Sequence, residues 1–241
     1  MYIHKILTIF LLISSLNISI ANTQSIELRE SLKNTKILYK EGKLKEAINA
    51  AFKAIKLSKI DFGQEHYYTA TLIENLGIIQ YESLMYKDAE ISFQEVLSIR
   101  KKTLKTDHTD IAEALNFIAL SNRKLSNYEI ALIYHNEALL IMSRAITKSN
   151  PHAINERRRK GAIFQASAMH TKALMDIKNK NIDSAIGLLK TSSKIFYNTL
   201  GNDKHQLIEI YKELIKQALE TNDLELANNT KKKLNKLYKN I

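Results

Sequence analysis

The sequence predicts an all-α protein, an α-solenoid of about five antiparallel helix pairs wound into a superhelix. Three observations predict it. The chain of 241 residues holds one proline, Pro151, and six glycines, too few turn residues for a sheet-rich fold of this length. Small residues recur at Ala47, Ala89, Ala131, Ala185 and Ala227, spaced 42, 42, 54 and 42 residues apart. Between them, apolar residues follow the 3.6-residue period of an amphipathic helix rather than the alternation of a strand.

The first 21 residues, "MYIHKILTIFLLISSLNISIA", stand apart. A basic start at Lys5 leads into an apolar run from Ile6 to Leu16, closed by Ser19-Ile20-Ala21. That is the layout of a cleavable secretory signal with cleavage after Ala21. The run is shorter than the ~20 residues that span a bilayer. Residues 1–21 are therefore expected to be a signal peptide and residues 22–241 the repeat domain. The expected address is exported, periplasmic or secreted. With no cysteine in the chain, the exported protein has to be held by packing and not by disulfides.

The five alanines each follow a short polar turn: "KEGKLKEA", "SLMYKDA", "KLSNYEIA", "KNKNIDSA" and "ETNDLELA". Each turn is expected to join the two helices of one pair. Alanine suits the place where helix backbones approach most closely, since a larger side chain there would overpack at a cost of about 1–3 kcal/mol. In the second unit the first helix is read in "EHYYTATLIENLGIIQ", and in the third the corresponding stretch is "DHTDIAEALNFIALSN". Glu65-His66 falls on Asp107-His108, Leu72 on Ala114 and Gly77 on Ala119. The third unit carries one stripe at Ile111, Ala114, Leu115, Ile118 and Leu125, and a second at Tyr128, Ala131, Leu132, His135, Ala138, Leu139 and Met142. The 54-residue interval contains twelve extra residues, a little over three helical turns, which predicts a long helix from about Ala153 to Asn179. In the last unit "NNTKKKLNKLYKN" keeps Ala227, Leu234 and Leu237 on one side and lysines on the rest, as a terminal repeat without a further neighbour requires.

The polar knot Asp107-His108-Thr109-Asp110 has the composition of an acid–base or metal site. It sits, however, at the joint between successive units, and "GQEHYY", "SNPHA" and "GNDKHQ" occupy the equivalent joints without keeping the same ligands. Helix capping explains it better: Asp107 or Thr109 to satisfy the first N–H groups, and Asp110 to meet the positive end of the dipole. His135 is expected to be a partly buried core residue, and His170 a packed or solvated one. No G-x-S-x-G, H-E-x-x-H or phosphate-cradling glycine loop is present, and no cysteine nucleophile exists. The reading is a non-enzymatic protein without metal or cofactor.

The stretch "ENLGIIQYESLMYKDAEISFQEVL", Glu74 to Leu97, resembles the tetratricopeptide repeat: a Leu-Gly pair in the first helix, then Ala89, Phe93 and Val96 at the second helix's spacing. The 42-residue period and the "DHTDIAEALNFIAL" joint are similar to the longer variant of kinesin light chains, which often reads Asp-His-Pro-Asp where this chain has Thr109. The resemblance covers roughly Leu28 to Ile241, with departures at Thr35, where the first unit lacks the glycine, and at Lys231, which replaces the phenylalanine. It implies a scaffold that binds a protein or peptide along the first helices of successive pairs. Carried onto this chain, the family's groove positions are Glu74, Asn75, Ile78 and Tyr81, then Glu113, Asn116, Leu120 and Arg123, then Asn155 and Arg158. Asn75 and Asn116 sit where the family often holds a ligand backbone through an amide.

The formal net charge is +11, falling by one if Lys5 is removed with the leader. A basic surface attracts nucleic acid, anionic lipid or acidic protein. An exported protein rarely meets nucleic acid, which leaves a protein or peptide partner, with anionic lipid as the alternative. "ERRRKG", Glu156 to Gly161, is the densest charge cluster: a solvated helix face, or a docking point for carboxylates through arginine forks.

Overall fold

The computed structural model describes residues 24–148, 151–199 and 205–239. The expected signal peptide lies outside them. Among the described residues there are helices and no strands: α1 (Ile26–Lys40), α2 (Leu44–Asp61), α3 (Tyr67–Glu82), α4 (Tyr86–Thr103), α5 (Thr109–Lys124), α6 (Tyr128–Thr147), α7 (Pro151–Lys178), α8 (Ile182–Thr199), α9 (His205–Glu220) and α10 (Leu224–Lys239). The second helix of each pair begins three residues before its marker alanine, and all five alanines are buried.

One turn is used five times. Gly42, Leu84, Ser126, Lys180 and Asn222 all have left-handed backbones, with φ between 59° and 73°. At four of them the same two bonds close the helix end. The N–H of the left-handed residue reaches back three residues (Gly42 to Tyr39, Leu84 to Tyr81, Lys180 to Ile177, Asn222 to Leu219), and the next N–H reaches back five (Lys43 to Leu38, Met85 to Gln80, Asn181 to Asp176, Asp223 to Ala218). This pair of bonds satisfies carbonyls that the helix end would otherwise leave orphaned.

The chain divides into two compact units at Leu125 and Ser126. In the first, each helix from α1 to α5 packs on its neighbour in sequence. Its core runs through Leu28, Ala47, Ile55, Ile73, Leu76, Ile79, Val96, Ile99 and Ala114. Burying each of the larger side chains contributes about 1.5–3 kcal/mol. Gly77 is required here: a Cβ on it would lie 2.7 Å from the Phe93 ring. That ring in turn stacks on Phe117, centroids 4.8 Å apart at 12°.

In the second unit, α6 to α10 also pack in chain order. Ala166, Ala173, Ala185, Leu189, Phe196, Leu207, Ile210, Leu214, Leu234 and Leu237 form its core. The helix expected near Ala153–Asn179 is α7. It has 28 residues where α3, α5 and α9 each have 16, so this helix absorbs the whole insertion. His135, expected to be partly buried, is fully buried, with Nε2 3.2 Å from the Thr171 hydroxyl; His170 is buried as well.

Candidate functional site

The joints between pairs place the histidines, and they correct the sequence reading. The residue that caps α5 is neither Asp107 nor Thr109 but His108, whose Nδ1 accepts the Asp110 N–H at 3.2 Å. His66 does the same for α3, accepting from Tyr68 at 3.1 Å. An imidazole nitrogen thus takes the acceptor role usually filled by Ser, Thr, Asp or Asn. Asp110 lies in the first turn of α5, as expected; its carboxylate also accepts the Tyr67 hydroxyl at 2.5 Å and its carbonyl accepts from Arg100 at 3.0 Å.

Glu74 on α3 is buried, and both its oxygens are taken by Arg100 of α4, with Nη1–Oε1 2.7 Å and Nη2–Oε2 2.8 Å. The guanidinium also lies 5.9 Å from the Tyr67 ring centroid. One arginine therefore ties together α3, its own helix and the start of α5. Burial works against the Arg100 charge, but Glu74 more than offsets this, so the guanidinium is held charged above its ordinary range. Burial raises the Glu74 carboxyl above the usual carboxylate value, against the pull of Arg100. Burial, then the bond to Asp110, pushes the Tyr67 phenol upward. Sequence reasoning missed Arg100. The available signal was a change of residue type in a buried column: one period away on either side stand Ser58 and Met142.

The other groove positions of the first unit lie on two helices. On α3, Asn75 and Ile78 are buried, and the half-buried Tyr81 packs edge-on against Tyr86, centroids 5.2 Å apart. On α5, Glu113 is half-buried, while Asn116, Leu120 and Arg123 retain only 5%, 7% and 4% of their surface. The i, i+4, i+7 spacing puts these last three on one helix face. Asn116 Oδ1 and Arg123 Nη1 are buried there without a hydrogen-bond partner among the described residues.

In the second unit, Asn155 and Arg158 are exposed on α7. The basic cluster is largely occupied within its own unit. Arg157 donates to the Ala145 carbonyl at 2.8 Å, and Arg159 forks onto Glu156 at 3.1 and 3.0 Å, which holds that carboxyl below its usual value. Arg158 has no ion pair among the described residues. No grouping of three His, Cys, Asp or Glu capable of holding a metal occurs among the described residues, and none of their helices is long and apolar enough to cross a membrane.

Repeated hairpins with a shared turn, a recurring alanine and a capped joint define the class: an α-helical hairpin-repeat protein. Residues 69–110 match the tetratricopeptide repeat family model. Among solved structures, the chain is similar to the putative kinesin light chain of Podosopora anserina, built of nearly identical TPR-like repeats. One structure of those repeats, a single-residue variant, matches at 14% identity and a TM-score of 0.58, covering 87% of this chain and 93% of that one. A second structure of the same repeats matches at 14% identity and TM-score 0.56, covering 88% and 94%. BtubC (BKLC) from P. vanneervenii matches at 12% identity and TM-score 0.52, covering 92% of each chain. No curated protein sequence matches. Residues 69–110 thus match a tetratricopeptide repeat, and the chain has a fold similar to that of kinesin-light-chain-like repeat arrays. Repeats of this kind generally mediate protein–protein interaction.

Proposed function

We propose that this chain is an exported, non-enzymatic scaffold that holds a protein or peptide segment along the first helices of its pairs. The observation that supports it is the inner face of α5. Among the described residues, a buried acceptor, Asn116 Oδ1, and a buried donor, Arg123 Nη1, lack hydrogen-bond partners on either side of Leu120. An unpaired buried polar atom costs about 1–3 kcal/mol, so a chain that retains two of them on one face has reason to fill them from outside. Seven helical residues span about 10.5 Å, the length of about three residues of extended peptide. A ligand backbone N–H would meet Asn116, and a carbonyl or carboxylate further along would meet Arg123. Tyr81, Asn75 and Ile78 of α3 supply the adjoining contact. Glu74 contributes structurally, through Arg100, and leaves recognition to its neighbours. In the second unit, taken by itself, Asn155 and Arg158 are exposed on α7 and available to a partner.

The test is site-specific photocrosslinking in cells, with the reactive residue at position 81 and a control at exposed position 133. The expected result is an adduct from position 81 alone, lost in Asn116→Ala and Arg123→Met. An adduct equally strong from both positions, or one indifferent to both substitutions, overturns the reading. Export is tested separately by intact mass of the cellular protein. Loss of residues 1–21 is expected, and a full-length cytoplasmic product would refute it.

A further inference from the structure

The five-fold internal repetition supplies its own comparison set, and one outer helix face departs from it. At the position of Phe52 the later copies carry Gln94, Asn136, Lys190 and Lys232; at that of Ile60 they carry Lys102, Arg144, Asn198 and Asn240. The repeat architecture therefore asks for polar residues at both places. In α2 both are large and apolar, and both stand in solvent, Phe52 54% and Ile60 71% exposed. Charge changes in the same register. Lys53 stands where the next two copies have Glu95 and Glu137. Positions 52, 56 and 60 form one i, i+4, i+8 stripe, so Lys56 lies between the two apolar side chains, with Lys45 and Lys53 beside them. All three lysines are exposed, and none has an ion pair among the described residues. Of the acids in α2, Glu46 is exposed and Asp61 accepts the Ser25 N–H at 2.8 Å, while Lys59 pairs with Glu95 of α4.

From this we infer that the outer face of α2 is a contact for an anionic lipid surface, with Phe52 and Ile60 entering the headgroup boundary and Lys45, Lys53 and Lys56 pairing with lipid phosphates. The chemistry favours lipid over an acidic protein. Lysine is depleted in the cores of protein interfaces, and separated apolar tips among lysines do not make the contiguous dry patch such an interface needs. The same pattern is what an interfacial helix uses, with apolar tips sunk a few ångströms and long cationic stems spread around them. The contact is independent of the groove reading, since it uses a different helix and a different face.

The test is co-sedimentation of the full chain with phosphatidylcholine vesicles containing about one-third phosphatidylglycerol, against phosphatidylcholine alone, at low and high salt. The variants are Lys53→Glu/Lys56→Glu and Phe52→Ser/Ile60→Ser, all at exposed positions, with helicity checked by circular dichroism. Because the compared chains differ only in α2, a contribution from any other segment cancels. Each lysine near an anionic surface is worth roughly fivefold in partitioning, so the charge variant should lose at least ~20-fold and the apolar variant ~10-fold. Salt should weaken what remains. Equal sedimentation of all three chains overturns the assignment, as does failure of the parent chain to sediment. Retention of the parent on poly-glutamate through the same lysines, without vesicle binding, would give the face to an acidic protein and overturn it as well.

Discussion

Replacing Arg100 by methionine isolates the buried ion pair. The arginine and glutamate side chains expose only 3% and 7% of their surface, and both Glu74 oxygens are bound at 2.7 and 2.8 Å. Arg100→Met leaves the carboxylate in a dry site with no counter-charge and strips a donor from the Asp110 carbonyl. Removing one member of a buried pair costs about 3–5 kcal/mol, whereas replacing both by apolar groups of similar volume is close to neutral. Urea denaturation followed by circular dichroism should therefore show a large loss for Arg100→Met and recovery of most of it in Glu74→Met/Arg100→Met. The loss should also depend on pH, with a definite sign. Burial already raises the Glu74 carboxyl above its ordinary value, and Arg100 supplies the largest opposing pull. Without Arg100 the folded-state value rises further. The penalty is then full at alkaline pH and shrinks as pH falls through the raised folded value toward the unfolded one, because protonation removes the stranded charge. A loss below ~1 kcal/mol, a double variant as weak as the single, or a penalty that grows on acidification would refute this account.

Two further substitutions probe the packing and the turns. Gly77→Ala drives a Cβ to 2.7 Å from the Phe93 ring, so a loss of about 1–3 kcal/mol is expected from thermal or urea unfolding, and an unchanged midpoint would show that the ring yields freely. Leu84→Gly relieves a left-handed residue, with φ 62° and a side chain 71% exposed, and should stabilise by about 0.5–1 kcal/mol after the unfolded-state entropy of glycine is set against it; a lower midpoint would count against the strain.

The architecture was legible because its signals are local or periodic. The alanines fix the turns, and the twelve-residue surplus in one interval reads as a longer helix because a little over three turns leaves the apolar face nearly unrotated. The left-handed turn residues were not legible: Gly42 announces one, but Leu84 and Lys180 give no chemical hint, and the conformation is imposed by the pair of hydrogen bonds that closes the helix end. The caps went to histidines for a related reason. Capping scales favour carboxylates and hydroxyls, yet each helix begins one residue past its histidine, so the cap position falls on His66 and His108 and not on Asp107 or Thr109. The Glu74–Arg100 pair breaks the period that made everything else readable. The groove positions were placed by analogy to exposed surfaces, and that analogy carries no information about burial at Asn116 or Arg123.

The pair also bears on how such a chain can change in length. Arrays grow and shrink by gaining or losing whole 42-residue modules, which works when neighbouring modules are interchangeable. Here they are not. A deletion that fused α3 to the helix carrying Met142 would strand Glu74 without its cation, and a deletion that removed α3 would strand Arg100. Chains that keep this carboxylate and its arginine are expected to hold their module number at this junction fixed; added length is accommodated within one helix, as in the 28-residue α7.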